Sequence, residues 1–441
     1  MSSVAERHEP YVAASTHFAE SRGRSAPMWL QQLRAQASSK FAEQGFPTVR
    51  EEAWRFTNVS PIAEGDFAIA DGAPRDASAV VSRVAVSDAL RVTLVNGRLA
   101  PELSALGSLP KGLHVSGLHD AIVRNESVIR EHLATFKLEP HPFAALNTSF
   151  LDEGVVVVAE PGTIVETPIQ IVSVTSADGK PLVSFPRTLV VAGARSQLRL
   201  AQTFVGDEDA AYFSNAVIEV AVHQGAVVDF STDQRESSRA FHVLNLQAHL
   251  GAGAVFGSHA FALGSRLMRH DISVTLGGEG ADATMNGVYL VDGTRLMDTH
   301  TSLDHAMPHC TSHQIYKGIL AGKARGVFNG RIVVRPDAQK TDAKQTNRAL
   351  LLSDEAQINS NPQLEIFADD VKCTHGAAVG QLDAEAMFYL QARGLTPAEA
   401  RDMMLHAFAG EVLEGLKIPE LRAQIESALF ETLARDLAGQ R

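Results

Sequence analysis

Cysteine is nearly absent: Cys310 and Cys373 are the only two in 441 residues. Two thiols build no disulfide framework, and without a CxxC pair or a four-cysteine set they build no zinc finger. Such sparing use suits a reducing compartment. Aromatic residues are scarce at 6%, which argues against platforms that stack nucleic-acid bases. Positive charge is in deficit: 39 basic against 51 acidic residues give a net charge of -12. That is the wrong sign for a nucleic-acid or anionic-membrane binder. Apolar runs such as Val155 to Ala159 fall far short of a membrane span. Met1 to Glu20 carries Glu6, Glu9 and Glu20 and no apolar stretch, so it is not expected to be a signal peptide, and the cytoplasm is the expected location. The common enzyme motifs GxSxG, HExxH and a strand-to-helix GxGxxG are missing. Gly318 to Lys323 imitates a phosphate loop, but the spacing is one residue short and Ala324 stands where Ser or Thr must bind magnesium.

What is present describes an ordinary globular chain, 45% hydrophobic and 20% charged, long enough for two or three domains. The first region, 1–150, reads as mainly helical. Residues before about 24 are polar and read as an unanchored end. Ser25 is a candidate N-cap, Pro27 sits in the first turn, and Trp29, Leu30, Leu33, Ala37 and Phe41 recur at helical spacing until Gly45 and Pro47. Arg91 to Val95 followed by Asn96-Gly97 reads as a hairpin. A second helical pattern runs from about Asp120 to Phe136.

From about Gly154 short β-branched runs alternate with glycine turns. Gly162-Thr163, Gly193-Ala194, Gly225-Ala226, Gly253-Ala254 and Gly280-Ala281 recur at irregular intervals of about 27 to 32 residues; a longer gap then leads to Gly326, and a further step to Glu355-Ala356. A unit of two or three strands repeated in this way suits a parallel β-solenoid better than a sandwich, whose turns come more often. We therefore expect a mainly β fold with a solenoid over 151–380. After it, 381–441 is helical. Asp383 can cap a first helix, and Thr396-Pro397-Ala398-Glu399 is a capping box opening a second. Pro419 opens a third, with Leu421, Ile425, Leu429, Leu433 and Leu437 four apart. The helical regions are expected to cover the solenoid's open ends.

Three constellations could carry chemistry. Asp298, His300, Asp304, His305, His309, Cys310 and His313 are all transition-metal ligand types. Strand alternation would send Cys310 to the face opposite His309 and His313, so hydrogen-bonded ladders or a solvated face are the plainer reading. Cys373 and His375 share one strand face. They form either half of a metal site completed by another chain, or an inert thiol beside a structural histidine. Lys317, Lys323, Arg325, Arg331, Arg335, Lys340, Lys344 and Arg348 form a basic run, which is either a solvated face or the cation set of a carbohydrate lyase.

Particular stretches resemble a known family. Glu52 to Thr57 (EAWRFT), Tyr316 to Asp354, and above all Pro362 to Gly380 (PQLEIFADDVKCTHGAAVG) with Phe388-Tyr389-Leu390 and Arg393-Gly394 resemble the SufB/SufD family of the SUF iron–sulfur cluster assembly scaffold. The resemblance spans nearly the full length. The Cys373-Thr374-His375-Gly376 form, and the absence of a thiol in Glu355-Ala356-Gln357, favour the SufD type over the SufB type.

The resemblance implies a right-handed parallel β-helix (solenoid) flanked by helical N- and C-terminal regions. It implies a non-catalytic, cytoplasmic scaffold subunit that pairs with a SufB-type paralogue and carries a SufC-type ABC ATPase on its C-terminal helices. His375, with Cys373, would then hold iron or a nascent cluster at the SufB interface. Met403, Met404 and Phe408 would form an adaptable apolar anchor for the ATPase. The chain alone would bind no cofactor tightly, since a cluster wants about four ligands of thiolate type. Iron or an Fe–S cluster would be transient in the complex. A homodimer in isolation and a reduced flavin in the complex stay open. Two readings compete: a polysaccharide-active β-helix enzyme using the basic run, and a purely structural solenoid.

Overall fold

The alternating region folds into two facing parallel sheets in a computed structural model that describes residues 7–70, 77–135, 141–177 and 179–438. Each coil places one strand in a first sheet and the next in a second, so the chain winds as a parallel β-solenoid of about 8 turns. Neighbouring strands pair in register over as many as ten residues, as Phe213–Val222 does with Phe241–Leu250 and the latter with Leu267–Leu276. The second sheet starts early, because Leu90–Val95 pairs in parallel with Ile169–Thr175.

The repeat resides in one backbone position. A left-handed residue opens the turn from first to second sheet in coil after coil: Gly162, Arg195, Gly225, Gly253, Gly280, His309 and Lys340. Sequence reading found the glycines but took Gly193 and Gly326 for missing members. Gly193 lies just before Arg195, and Gly326 lies inside the strand Arg325–Val334. Glu355-Ala356 belongs to the opposite turn, before Gln357–Ile366. The period looked irregular because Arg195, His309 and Lys340 adopt the glycine conformation, at a cost of about 1–2 kcal/mol each.

Inward-facing side chains of both sheets fill the lumen: Ala216, Ile218, Val220, Phe230, Phe256, Ile272 and Phe328 are all buried. The lumen also holds polar groups. His305 Nε2 lies 2.9 Å from Ser312 Oγ, and burial pushes the His305 pKa down to about 4 against a weaker upward pull from Asp304. An unfolded histidine titrates near 6.5. Between pH 6.5 and 4 the unfolded chain therefore binds a proton that the folded chain refuses. Stability is expected to fall as pH drops through that window, by about 3 kcal/mol from this group, and its contribution to level off below. Urea midpoints measured from pH 8 to pH 4 should fall less steeply for His305→Gln; an unchanged slope would show that His305 does not set it.

The helices do not cover the solenoid's ends; they lie along its flanks. Strands such as Phe213–Val222 are buried on both faces, so each sheet presents a second apolar surface that needs cover. On the first sheet, Phe213, Phe241, Val243 and Leu267 meet Phe41, Phe46, Trp54 and Phe143 of the N-terminal region. The expected helix there runs Met28–Gln44 and stops at Gly45, with Pro27 rather than Ser25 as N-cap. The end before it is anchored, not loose: Glu9–Glu20 is a helix, and Tyr11 packs edge-on against Phe46. Leu90–Val95 turns back through Asn96-Gly97 onto Arg98–Leu99 as the expected hairpin. The other expected helix is Leu118–His132; Phe136 lies outside the described residues.

On the second sheet, Phe261, Leu263, Val288, Leu290 and Ile319 are covered by Leu405, Ala409, Val412, Leu421, Ile425, Leu429 and Leu433 from the C-terminal helices Pro397–Leu413 and Pro419–Ala438. The side chain of Leu437 lies outside the described residues. Lys317 pins this layer. It is buried, and its ammonium sits 2.5 Å from Glu411 Oε2, donates to the Phe408 carbonyl at 2.6 Å and lies over the Phe408 ring.

The two ends of the solenoid differ. At the first, antiparallel strands terminate both sheets, Leu113–Gly117 on one and Arg98–Leu99 on the other, and Leu106 and Leu109 pack against the lumen core. At the last, Gln357–Ile366 and Lys372–Gly380 have no further strand neighbour among the described residues. Among the described residues no helix is long and apolar enough to cross a membrane.

Candidate functional site: the open end of the solenoid

The final coil is built like those before it but is not covered. Lys372–Gly380 pairs along one edge with Asp342–Leu351, which sets Cys373 over Ala343 and His375 over Gln345. Ala343 and Gln345 are buried and point into the lumen. Cys373 and His375 continue those inward columns, yet no coil follows. Cys373 is half-buried against the lumen core and His375 is exposed, so the pair lines the mouth. Burial pushes the Cys373 thiol pKa up, with the Ala343 backbone pulling the other way, which keeps a thiol in place of the more nucleophilic thiolate.

Around the mouth, Ile366, Phe367 and Val379 are exposed. Two bare strand edges of this length with an apolar rim invite pairing with another chain. Imidazole nitrogen and cysteine sulfur on one face supply two transition-metal donors, fewer than a closed site needs. The geometry therefore suits a site that a second chain completes.

The other constellations disperse. Asp298 is buried beside Arg269, with His300 Nε2 3.1 Å from its Oδ1. Asp304 accepts two bonds from Arg335 at 2.9 and 2.6 Å. His305 faces the lumen, His309 forms a turn, Cys310 is buried against the Gly278 carbonyl, and His313 is exposed. Among the described residues no group of three or more His, Cys, Asp or Glu side chains could hold a metal ion. Six of the eight members of the basic run are tied to carboxylates: Lys317 to Glu411, Lys323 to Glu355, Arg331 to Glu365, Arg335 to Asp304, Lys340 to Asp370 and Lys344 to Asp342. Gly318 to Lys323 spans a strand end and a turn that leads into another strand, not the helix a phosphate loop requires.

A second bare surface lies on the C-terminal helices. Met403 is 49% exposed, whereas Met404 and Phe408 are half-buried, Phe408 beneath Lys317. The preceding helix, Ala384–Ala392, has no buried residue, and Phe388 and Tyr389 are 73% and 58% exposed. Sequence reading placed Phe388 on a helix but did not choose it as a contact. The available signal was a short helix with apolar residues all round and no polar face.

Residues 173–408 match the model of the SUF system FeS cluster assembly SufBD core domain, and residues 8–171 that of the SufBD protein N-terminal region. An iron-sulfur cluster assembly SufBD family protein of Synechocystis is 30% identical over 87% of this chain and 86% of its own length. The iron-sulfur cluster assembly protein SufD of Escherichia coli is 30% identical over 88% of this chain and 90% of its own. A SufD of Bacillus subtilis is 25% identical over 91% and 94%.

Proposed function

The chain belongs to the SufBD family of iron–sulfur cluster assembly proteins, and from that premise we propose that it is a non-catalytic scaffold subunit acting in the cytoplasm. It pairs through its open solenoid end with a SufB-type paralogue and carries a SufC-type ATPase on its C-terminal helices. The observation that carries this reading is the last coil, where two bare edges meet a mouth lined by Cys373 and His375. Strand addition across the edges would give affinity through main-chain hydrogen bonds and set the partner's ligands opposite His375. Iron or a nascent cluster is the cargo, held jointly. A reduced flavin is the candidate reductant in the complex. In isolation the same edges would let two copies pair. The paired state of the basic residues gives the polysaccharide reading no observation of its own.

Co-expression with SufB- and SufC-type partners, followed by anaerobic purification and iron and sulfide analysis, tests the reading. A three-component complex carrying both is expected; a chain recovered alone and metal-free overturns it.

For the ATPase, the candidate contacts are exposed Met403, Phe388 and Tyr389 with half-buried Met404, while Phe408 also packs against the body. Deleting everything after Gly380 would uncover the second sheet's apolar flank, so point substitutions are the better test. Phe388→Asp with Met403→Asp is expected to abolish ATPase pull-down with thermal stability nearly unchanged, since both side chains are exposed. Undiminished pull-down would place the ATPase elsewhere.

A further inference from the structure

One column of inward side chains on the second sheet changes character toward the open end. Its in-register members are Leu200, Phe230, Ser258, Met285, Gln314, Gln345 and His375. Gln314 Nε2 donates to Thr301 Oγ1 at 2.6 Å, and Gln345 Nε2 donates to Gln314 Oε1 at 2.8 Å. Each amide thus directs its donor away from the mouth. The relay ends in one acceptor, Gln345 Oε1, which is buried and has no hydrogen-bond partner. Gln345 itself is 2% exposed, and its amide lies over Gly330, where even an added Cβ would collide with Nε2. A buried acceptor left without a donor is costly and uncommon. The residue in register above it is His375, whose imidazole carries an N–H. Asn347 Oδ1 is unpartnered too, but it lies in register with Ala377, which offers no side-chain donor.

We infer that Gln345 is a positioning residue for His375. Its Oε1 accepts the N–H of one ring nitrogen, fixes the tautomer and turns the lone pair of the other nitrogen toward the mouth. Metal-binding histidines are commonly oriented by an acceptor on their second nitrogen. The purpose of this contact rests on the role proposed for His375 above; its existence does not.

The test is ¹⁵N-histidine NMR of the isolated full chain at a pH where the imidazoles are neutral, with the His375 signals assigned by their loss in His375→Asn. One tautomer is expected to dominate by about tenfold, the ratio that one hydrogen bond of ordinary net strength sets. Gln345→Met should abolish that preference, Gln345→Glu should preserve it because a carboxylate still accepts, and Asn347→Leu should leave it unchanged. An unaltered tautomer in Gln345→Met overturns the inference. Should the Met variant fail to fold, loss of the preference in a folded Gln345→Glu chain overturns it equally. Cluster content of a His375→Ala complex is read separately. A normal value there refutes the ligand role and leaves the tautomer result standing.

Discussion

Replacing His375 by alanine is expected to reduce the iron and sulfide of the anaerobically purified complex to near background while the chain folds and assembles as before. The imidazole is exposed at the mouth of the last coil, so its removal opens no core cavity, and a surface substitution of this kind usually changes stability by less than about 0.5 kcal/mol. What it removes is a neutral nitrogen donor, which alanine cannot replace. Cys373→Ser should have the smaller effect, because the thiol is half-buried against the lumen core and burial raises its pKa. Normal cluster yield from His375→Ala would take the residue out of the site. A loss of several kcal/mol in the isolated chain would instead make it structural.

Arg269→Met is expected to be the most damaging single change to stability, costing about 3–5 kcal/mol through two buried carboxylates left without a cation. The guanidinium donates to Asp271 at 2.8 and 2.7 Å, to Asp298 at 2.6 Å and to the Ala53 carbonyl at 2.8 Å, and it lies 4.2 Å from the centre of the Trp54 ring. Thr57 donates to the same Asp298 oxygen, and His141 Nε2 lies 3.0 Å from Asp271. Burial alone would strip the proton from Arg269 and would keep both carboxyl groups protonated. The mutual attraction outweighs it, raising the Arg269 pKa and lowering those of Asp271 and Asp298. This network fixes the segment 52–57 to the first sheet. The loss should appear as a lower urea midpoint and faster proteolysis of the N-terminal helices. Adding Asp271→Asn and Asp298→Asn should recover part of it. A midpoint unchanged in Arg269→Met would mean that the network contributes nothing net.

The solenoid was legible because glycine marks a left-handed turn wherever it occupies one, as at Gly225, Gly253 and Gly280. It was illegible where Arg195, His309 and Lys340 accept the same conformation, since nothing in those residue types announces a positive φ. The placement of the helices was misread for a different reason. A single strand such as Phe241–Leu250 buries Phe241 and Val243 outward and Leu244 and Leu246 inward, so apolar residues occupy both of its faces, and that pattern calls for cover on both sides. Reading the helices as lids ignored this demand. For the site, Cys373 and His375 could be placed on one strand face from spacing alone. The residue beneath His375 could not, because Gln345 comes into line with it only through the register of coils about thirty residues apart. Likewise, nothing in the segment 52–57 hints that its partners are Arg269 and Asp298.

The unequal ends of the solenoid carry a consequence for stoichiometry. A body with adhesive edges at both termini would polymerise, each copy adding to the last, as open head-to-tail contacts do. Here the antiparallel strands Leu113–Gly117 and Arg98–Leu99 blunt one terminus. One chain would therefore offer one solenoid-to-solenoid junction, which a partner of the same build would consume. On the pairing proposed above, growth would stop at a pair of solenoids, whether the second body is a paralogue or another copy, and the two mouths would close on each other around a single shared chamber.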